Sequence, residues 1–285
     1  MNLIAIDLDG TLLSRNLSIS NENLSAIKAA QQKGIDITIA TGRSYFDAKS
    51  ICESHNLHTH IISNNGAMIH LNSGERLEEI ALKNQACFAV CQWLEENQFF
   101  YQIATEDNIY TNLKNQGVLW EEYDQFTVSH PELAEDFKHM MDLQFGQKNV
   151  KSFNTFHELK AMNIPIFGIL ALSFDLNRLK TASEKLKNFE DILVFSSFKY
   201  NLEFSNPNAT KGYALQKLAQ HLGFSLRQAM AIGDNHNDIS MIEAANYGVA
   251  MGNAEDAVKA ISDYVTLTNE DHGVAKAIQY FALSE

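Results

Sequence analysis

Short runs of apolar residues that end abruptly in small or polar residues recur near both ends of the chain. The first covers residues 3–6 and stops at Asp7. A continuous apolar run of this length is typical of a strand buried on both faces of a parallel sheet. Four further runs share the design and predict strands at residues 35–40, 60–63, 229–232 and 248–251.

Helical patterns lie between these runs. Ser20 is a typical N-cap residue, and the apolar face that follows it repeats every three or four residues until Gly34. A second apolar stripe ends at Gly223 and contains Leu215, Leu218 and Leu222. Because strands and helices alternate, we predict a doubly wound α/β core built on a parallel sheet.

The middle of the chain has a different pattern. Residues 83–198 lose the alternation and hold 18 of the 28 aromatic residues. An amphipathic helix around Phe88–Leu94 and strand-like runs at 99–104, 166–172 and 192–196 predict a small α+β domain. The predicted organisation is a core of residues 1–82 and 200–285 with an inserted domain at 83–199.

Charge and composition exclude several classes of protein. Asp and Glu number 35 against 22 Lys and Arg, which gives a net charge of −13 and argues against nucleic-acid and anionic-membrane partners. No apolar run approaches the roughly 20 residues that span a bilayer. Asp7 and Asp9 lie where a signal peptide is apolar, and the three Cys form no paired motif. We therefore expect a cytoplasmic protein.

Chemistry-bearing residues follow the predicted strands. In an open parallel sheet, ligands bind at the carboxyl ends of the strands. Carboxylates that converge there repel one another unless a cation lies among them, so the pattern predicts a hard divalent ion, with Mg²⁺ the natural choice. Amide and hydroxyl donors and a lysine beside that ion would bind a phosphoryl group. The residues after the strands are Asp7, Asp9, Thr41, Gly42, Asp234 and Asp238, and Lys211 begins the helix that precedes the strand at 229–232.

Each of these residues also has a simpler interpretation. An Asp at a strand end is commonly a turn or capping residue, and Asp238 could be the N-cap of the helix that follows it. Lys211 is harder to explain in this way, because a cation at a helix N-terminus is disfavoured unless an anion compensates it. For that reason we expect removal of Lys211 to leave stability unchanged or slightly higher. The complete set in this order favours a phosphoryl site.

Four motifs resemble those of haloacid dehalogenase-like phosphatases. They are Asp-Leu-Asp-Gly-Thr-Leu at 7–12, Thr-Gly-Arg at 41–43, Lys-Gly at 211–212 and Gly-Asp-Asn-His-Asn-Asp at 233–238. Segments 65–66, 248–254 and 268–275 resemble the Cof-type subgroup. The resemblance covers the predicted core. The insert resembles the α/β cap of this family in its position in the chain and in its size. This resemblance implies a cap that acts as a roof over the substrate.

The resemblance implies a role for each site residue. Asp7 would be the nucleophile that forms an aspartyl-phosphate, and Asp9 the general acid and base whose backbone carbonyl also binds Mg²⁺. Asp234 would be the second carboxylate ligand of the metal, and Asp238 would orient metal-bound water. The groups implied to bind phosphate are the Leu8 backbone, Thr41, Gly42, Lys211 and Asn237. The implied partner is a small phosphorylated metabolite.

Other functions compatible with these residues remain open. A phosphotransferase or phosphomutase would pass the same aspartyl-phosphate to a second substrate. A signalling receiver module also surrounds a phosphorylated Asp with acidic residues, Thr, Lys and Mg²⁺, but Asp9 would shorten the lifetime of its phosphoryl group. A catalytically inactive sugar-phosphate-binding protein would not need every chemical role to be filled.

Other candidate ligands are expected to have structural roles. His55, His58 and His60 precede and enter a strand, so their side chains need not converge on a metal. Cys87 and Cys91 are four residues apart on a predicted helix and are expected in its core. We expect His236 to be an exposed loop residue, and Arg43 either to steady the loop after residue 40 or to lie exposed.

Overall fold

The computed structural model describes residues 1–145, 149–196 and 198–284. Its strands are β1 Leu3–Ile6, β2 Asp36–Ala40, β3 His60–Ser63, β4 Met68–His70, β5 Arg76–Glu79, β6 Phe100–Ala104, β7 Ile109–Asn112, β8 Val150–Phe153, β9 Gly168–Leu172, β10 Leu193–Phe195, β11 Asn201–Ser205, β12 Ala229–Gly233, β13 Tyr247–Ala250 and β14 Tyr264–Val265. Its helices are α1 Asn21–Gln32, α2 Tyr45–Ser54, α3 Asn84–Glu96, α4 Gln116–Ser129, α5 Ala134–Phe145, α6 Phe156–Met162, α7 Leu176–Leu186, α8 Lys211–His221, α9 Ile239–Ala244, α10 Asp256–Ile261 and α11 Gly273–Ile278. None of the helices in these ranges has the length and apolar character needed to cross a bilayer.

The chain divides into two units. The first comprises Met1–Ile80 and Asn208–Glu285, and the second comprises Ala81–Pro207. The sequence pattern predicts a return to the core at residue 200, but β11 pairs antiparallel with β9 and β10. Its alternating sequence suits an antiparallel sheet, and Leu202 and Phe204 pack in the core of the second unit. The second unit therefore extends to residue 207.

The first unit contains the predicted doubly wound α/β core. Its eight-stranded sheet has the order β14-β13-β12-β1-β2-β3-β4-β5. The strands from β14 to β3 are parallel, whereas β4 and β5 are added antiparallel at one edge. All four residues of β1 are buried, as expected of a central strand. The fold class predicted from the apolar runs is confirmed.

The helix signals of the first unit are also confirmed. Ser20 caps α1, and its side-chain oxygen accepts a hydrogen bond from the Asn23 N–H at 3.2 Å. Gly34, two residues beyond the end of α1, has φ +78°, a backbone conformation that glycine adopts without steric cost. Helix α8 begins at Lys211 as predicted and is capped by Thr210.

The second unit is an α+β fold on a six-stranded sheet. The strand order is β10-β11-β9-β6-β7-β8, with antiparallel pairs except for β7 and β8. The three strand-like runs predicted in this region correspond to β6, β9 and β10. Cys87 and Cys91 lie on α3 and are fully buried, as predicted.

Candidate active site

Parallel pairing brings the ends of β1, β2 and β12 to one edge of the first unit's sheet. Ile6 of β1 is in register with Ile39 of β2 and with Ile232 of β12. The N–H of Asp7 continues this pattern and donates to the Ile232 carbonyl at 3.0 Å. Residues that follow the three strands therefore lie close together, as the sequence predicted.

A buried ion cluster occupies this edge. The Lys211 Nζ lies 2.7 Å from the Asp7 Oδ1 and 2.5 Å from the Asp238 Oδ1. Lys211 and Asp238 are fully buried, and Asp7 is 5% exposed. Burial by itself lowers the pKa of Lys211, but the charges of Asp238 and Asp7 outweigh burial and raise this pKa above its ordinary value. Two carboxylates thus compensate the lysine at the N-terminus of α8.

Asp238 organises the loop after β12. Its Oδ2 accepts hydrogen bonds from the N–H groups of Asp234 and Asn235 at 2.9 and 3.0 Å. Asp238 occupies the N-cap position of α9, but its side chain makes no capping bond to that helix, so a capping role alone does not explain it. Because Lys211 donates to the other carboxylate oxygen, Oδ1, Asp238 links the lysine to the backbone of this loop.

The carboxylates of Asp7, Asp234 and Asp238 form an acidic group. Each contributes one oxygen, and these oxygens all lie within 4.8 Å of one another. Burial and the charge of Asp238 raise the pKa of Asp7 well above its ordinary value. The same two causes raise the pKa of Asp234 to about 6. Three carboxylates and one ammonium leave two negative charges when ionised, so the group fits a divalent metal ion.

Asp9 lies outside this acidic group and binds Arg43. The Arg43 Nε and Nη2 donate to the two oxygens of Asp9, both at 2.7 Å, and Nη1 donates to the Asp47 Oδ2 at 2.6 Å. The Asp9 side chain is 49% exposed. Of the two roles considered for Arg43, the structure favours the one in which it steadies the loop, because it ties Asp9 to α2.

The loop after Asp9 packs directly against Asp234. Gly10 has φ +79°, and a Cβ atom at this position would lie 2.3 Å from the Asp234 Oδ2. The Thr11 Oγ1 donates to the other oxygen of Asp234 at 2.9 Å. Only glycine permits this approach, so the glycine of the motif at residues 7–12 has a steric reason.

Two asparagines for which the motifs imply no role hold the same loop. The Asn253 Nδ2 donates to the Gly10 carbonyl at 2.8 Å, and the Asn269 Nδ2 donates to the Leu13 carbonyl at 2.9 Å. The Asn269 N–H donates to the Asn253 Oδ1 at 2.9 Å and links the two. Both residues lie in the segments that resemble the Cof-type subgroup, 248–254 and 268–275. This resemblance is the sequence signal that points to them.

The groups implied to bind phosphate lie on neighbouring loops. Leu8 and Thr41 are buried, and the Thr41 Oγ1 accepts from the Arg43 N–H at 3.1 Å. The Asn237 Nδ2 donates to the Asn65 Oδ1 at 2.9 Å. Asn65 appears in the sequence motifs without an assigned role, yet it lies between two of these loops.

The histidine candidates do not form a metal site among the described residues. His60 is buried, and its Nδ1 accepts a hydrogen bond from the Asn72 N–H at 3.3 Å. The His55 Nδ1 lies 2.9 Å from the Ile51 carbonyl oxygen. His236 is exposed, as expected.

Comparison with known proteins decides the family. The family model described as haloacid dehalogenase-like hydrolase matches residues 4–278. The chain belongs to the haloacid dehalogenase-like hydrolase family. The resemblance drawn from the motifs is confirmed. Hydrolases of this family generally use a divalent metal, which the acidic group of Asp7, Asp234 and Asp238 fits.

Similar proteins within the haloacid dehalogenase-like family cover the whole chain. Phosphatase YwpJ of Bacillus subtilis (strain 168) is 39% identical over 283 residues, which cover 98% of this chain and 99% of YwpJ. The motifs also indicate similarity to YwpJ-like phosphatases, and this match confirms it. The 5-amino-6-(5-phospho-D-ribitylamino)uracil phosphatase YwtE of the same strain is 37% identical over 277 residues, 96% of each chain. A solved haloacid dehalogenase-like hydrolase from B. subtilis has a TM-score of 0.87 and 38% identity, covering 99% of this chain and 100% of the other.

Proposed function

We propose that this phosphoric monoester hydrolase removes phosphate from small phosphorylated metabolites through an aspartyl-phosphate on Asp7. The observation that carries the proposal is the position of Asp7. This carboxylate follows the central strand β1 and is buried 2.7 Å from the ammonium of Lys211. A carboxylate beside a buried cation offers both a nucleophile and a charge that attracts a phosphoryl group.

The proposed reaction has two steps. In the first, a carboxylate oxygen of Asp7 bonds to phosphorus, the ester P–O bond breaks, and Asp9 protonates the leaving oxygen. In the second, Asp9 takes a proton from water, the water oxygen bonds to phosphorus, and the bond from phosphorus to Asp7 breaks. Enzyme is regenerated with inorganic phosphate as the product.

The role of Asp9 requires it to exchange one partner for another. Its carboxylate is bound by Arg43, and its half-exposed position allows it to leave the guanidinium for the leaving oxygen of a substrate. Asp47 also binds Arg43, so the guanidinium keeps an anionic partner after that exchange.

The metal is proposed to be Mg²⁺, held by Asp7, Asp234 and the backbone carbonyl of Asp9. When bound, Mg²⁺ would neutralise charge on the phosphoryl oxygens. The residues present fit such an ion, because burial and mutual repulsion raise the pKa of Asp7 and Asp234. Both oxygens of Asp238 already accept hydrogen bonds, from Lys211 and from the loop after β12. Asp238 is therefore proposed to orient metal-bound water and not to bind the metal itself.

The phosphoryl oxygens are assigned to groups on three loops and at the start of α8. Lys211 supplies a positive charge that cannot be lost near neutral pH, because its carboxylate neighbours raise its pKa. Neutral donors complete the set and are the Leu8 backbone, the Thr41 hydroxyl, the Gly42 amide and the Asn237 side chain. They would hold the charge that builds on the phosphoryl group during transfer.

The second unit is proposed to act as a cap that selects the leaving group. It is inserted between Ile80 and Asn208, and Asn208 precedes Lys211 by only three residues in the chain. A roof formed by this insert would exclude water and bulky substrates. The net charge of −13 also opposes polyanions. A phosphorylated sugar or nucleotide is therefore the proposed substrate.

A substrate panel tests this proposal. We would measure kcat/KM for hexose and pentose phosphates, nucleoside monophosphates and 5-amino-6-(5-phospho-D-ribitylamino)uracil, the compound in the name of YwtE. A phosphopeptide and a 5′-phosphorylated oligonucleotide serve as bulky comparisons. We expect a small ester to be hydrolysed best, with one phosphate released per ester cleaved. Higher efficiency on either macromolecule would overturn the substrate proposal, and transfer of phosphate to an acceptor instead of water would identify a phosphotransferase.

A further inference from the structure

The segment between β3 and β4 has an unusual backbone. Asn64, Asn65 and Gly66 form a short 3₁₀ turn and all have positive φ, at 48°, 57° and 102°. Both asparagines are buried, at 5% and 8% exposure. Consecutive left-handed residues are costly for side chains other than glycine, although asparagine tolerates this region best. Such strain persists only where the surroundings hold it, and it is frequent at functional sites.

Asn65 contacts two of the three loops that carry neutral phosphate-binding groups. Its N–H donates to the Thr41 carbonyl at 3.0 Å, and its Oδ1 accepts from the Asn237 Nδ2 at 2.9 Å. Its side-chain amide also lies against Gly42, where a Cβ atom would be 3.1 Å from the Asn65 Oδ1. A single side chain therefore joins the loop after β2 to the loop after β12.

The same turn reaches the start of the helix that carries the lysine. A Cβ atom on Gly66 would lie 2.2 Å from the Thr210 carbonyl oxygen and 2.9 Å from the Lys211 nitrogen. The backbone of the turn is thus packed directly against the N-terminus of α8. The turn therefore contacts the loop after β2, the loop after β12 and the start of α8. These three segments carry the proposed phosphate-binding groups other than the Leu8 backbone, namely Thr41, Gly42, Asn237 and Lys211.

We propose that Asn65 is a positioning residue that sets the spacing and orientation of the phosphate-binding groups. By accepting one N–H of Asn237, it fixes the direction of that carboxamide, whose second N–H is then oriented for a phosphoryl oxygen. By packing against Gly42, it fixes the amide of the neighbouring loop. The inference rests on the proposed function, because it assigns Asn65 a task in binding the phosphoryl group.

Inorganic phosphate in the presence of Mg²⁺ is the probe that tests this inference. Asn65→Gly removes the side-chain amide and keeps a residue that accepts positive φ. Asn64→Gly is the matched control, because it makes the same change at the adjacent left-handed position, where the side chain contacts the Met68 sulfur at 3.6 Å instead of a phosphate-binding residue. Titration calorimetry gives the Kd for phosphate, steady-state kinetics separate KM from kcat, and thermal unfolding reports stability.

We expect Asn65→Gly to raise the phosphate Kd and the KM by about tenfold, the size of effect that loss of one well-placed hydrogen bond produces. Asn64→Gly should keep the wild-type Kd. If Asn65 acts through Asn237, combining Asn65→Gly with Asn237→Ala should cost less than the sum of the two single changes. A wild-type Kd in Asn65→Gly, or an equal loss in Asn64→Gly, would overturn the inference.

A second variant covers the case in which Asn65→Gly does not fold. Asn65→Asp keeps the tolerance of positive φ and an oxygen for Asn237, but it adds a negative charge against Gly42. It should weaken phosphate binding with little change in unfolding temperature, and unchanged binding would overturn the inference. A wild-type protein that binds phosphate but cleaves no ester would refute the proposed function, while the ratio of phosphate Kd values would still decide the role of Asn65.

Discussion

The two units of the chain bury different kinds of polar side chain. Among the described residues, the buried carboxylates and the buried ammonium all belong to the first unit, and they are Asp7, Lys211 and Asp238. The buried polar residues of the second unit are uncharged, such as Gln102 and Asn112, and they lie among two clusters of apolar and aromatic side chains. Burying a charge is costly unless a partner compensates it. The buried charges of the first unit are therefore explained by a chemical role, whereas the buried polar residues of the second unit are explained by packing.

Asp7→Asn should remove the chemistry of the first unit and leave its packing. We expect turnover to fall by more than a factor of about 1000, because an amide is a poor nucleophile. The unfolding temperature should change little, since Lys211 keeps Asp238 as its buried anionic partner. Steady-state rates with a phosphate ester provide the measurement. Activity above about a tenth of wild type, a barrier change below about 1.4 kcal/mol, would contradict the role of Asp7.

Asp9→Asn should affect esters according to their leaving groups. An alkyl leaving oxygen needs a proton, so loss of the general acid should slow its release by about a hundredfold or more. An activated aryl ester needs less protonation and should lose less. Single-turnover rates of phosphorylation compare the two classes directly. Equal losses for both would remove the general-acid role from Asp9.

Lys211→Ala should weaken both activity and stability. Loss of a preorganised positive charge is expected to lower kcat/KM by about 100- to 1000-fold. The sequence pattern predicts unchanged or slightly higher stability, whereas the burial of Lys211 and its pairs with Asp7 and Asp238 predict a loss. Its removal leaves those carboxylates buried without their cation, at a cost of about 3 to 5 kcal/mol in the free energy of unfolding.

Chemical denaturation of Lys211→Ala and Lys211→Met measures that cost. The Met variant keeps the volume of the side chain and separates loss of charge from formation of a cavity. Both variants should be destabilised. Wild-type stability in Lys211→Met would show that the charge of Lys211 does not stabilise the cluster.

Phe153→Ala sharpens the comparison from the side of the second unit. Phe153 is 1% exposed and its ring lies 5.5 Å from that of Tyr101. Truncation should lower the free energy of unfolding by about 3 to 5 kcal/mol. At temperatures where the variant is folded, its rate with an activated aryl phosphate should fall far less than that of Asp7→Asn. A comparable loss of rate would contradict the division between chemistry and packing.

The smallest expected effect is a pH dependence of stability that arises at Asp234. Its pKa in the folded state, about 6, is above its ordinary value of 3.8, so the folded protein binds a proton more tightly than the unfolded chain. Relative to Asp234→Asn, the wild-type protein without metal should therefore lose stability as pH rises from about 4 to about 6 and then remain level.

Unfolding temperatures of the two proteins across this pH range, with and without Mg²⁺, give the measurement. Taking the difference between wild type and Asp234→Asn cancels the opposing contribution of His70, whose pKa is lowered by burial to about 4. Mg²⁺ should stabilise the wild type above pH 6, where Asp234 is ionised. Parallel curves for the two proteins would contradict the raised pKa.

The features predicted from sequence are those that local patterns determine. The bounds of β1 match the apolar run at residues 3–6 because a strand buried on both faces has no polar residues to blur its ends. The sequence pattern gives no signal for β5, because Arg76–Glu79 is mostly charged and the strand pairs at the sheet edge. It also does not place β11 in the second unit, because an alternating strand does not indicate its partner sheet.

The same limit applies to the candidate site. The meeting of Asp7 with Asp234 follows from the shared edge at which the parallel strands β1 and β12 end. The contact between Asn65 and Asn237 joins residues 172 positions apart, and that between Gly10 and Asn253 joins residues 243 apart. Neither spacing carries a local signal. The binding of Asp9 by Arg43 depends on the orientation of two side chains, which the motif does not specify.

Trapping the covalent intermediate tests the central claim most directly. The enzyme would be mixed with Mg²⁺ and a ³²P-labelled phosphate ester, quenched in acid within the first turnover, digested and analysed by peptide. We predict label on the peptide that contains Asp7, released by hydroxylamine as an acyl phosphate is, and none in Asp7→Asn. Release of inorganic phosphate in the first turnover without label on any peptide would contradict a phosphoryl transfer through Asp7.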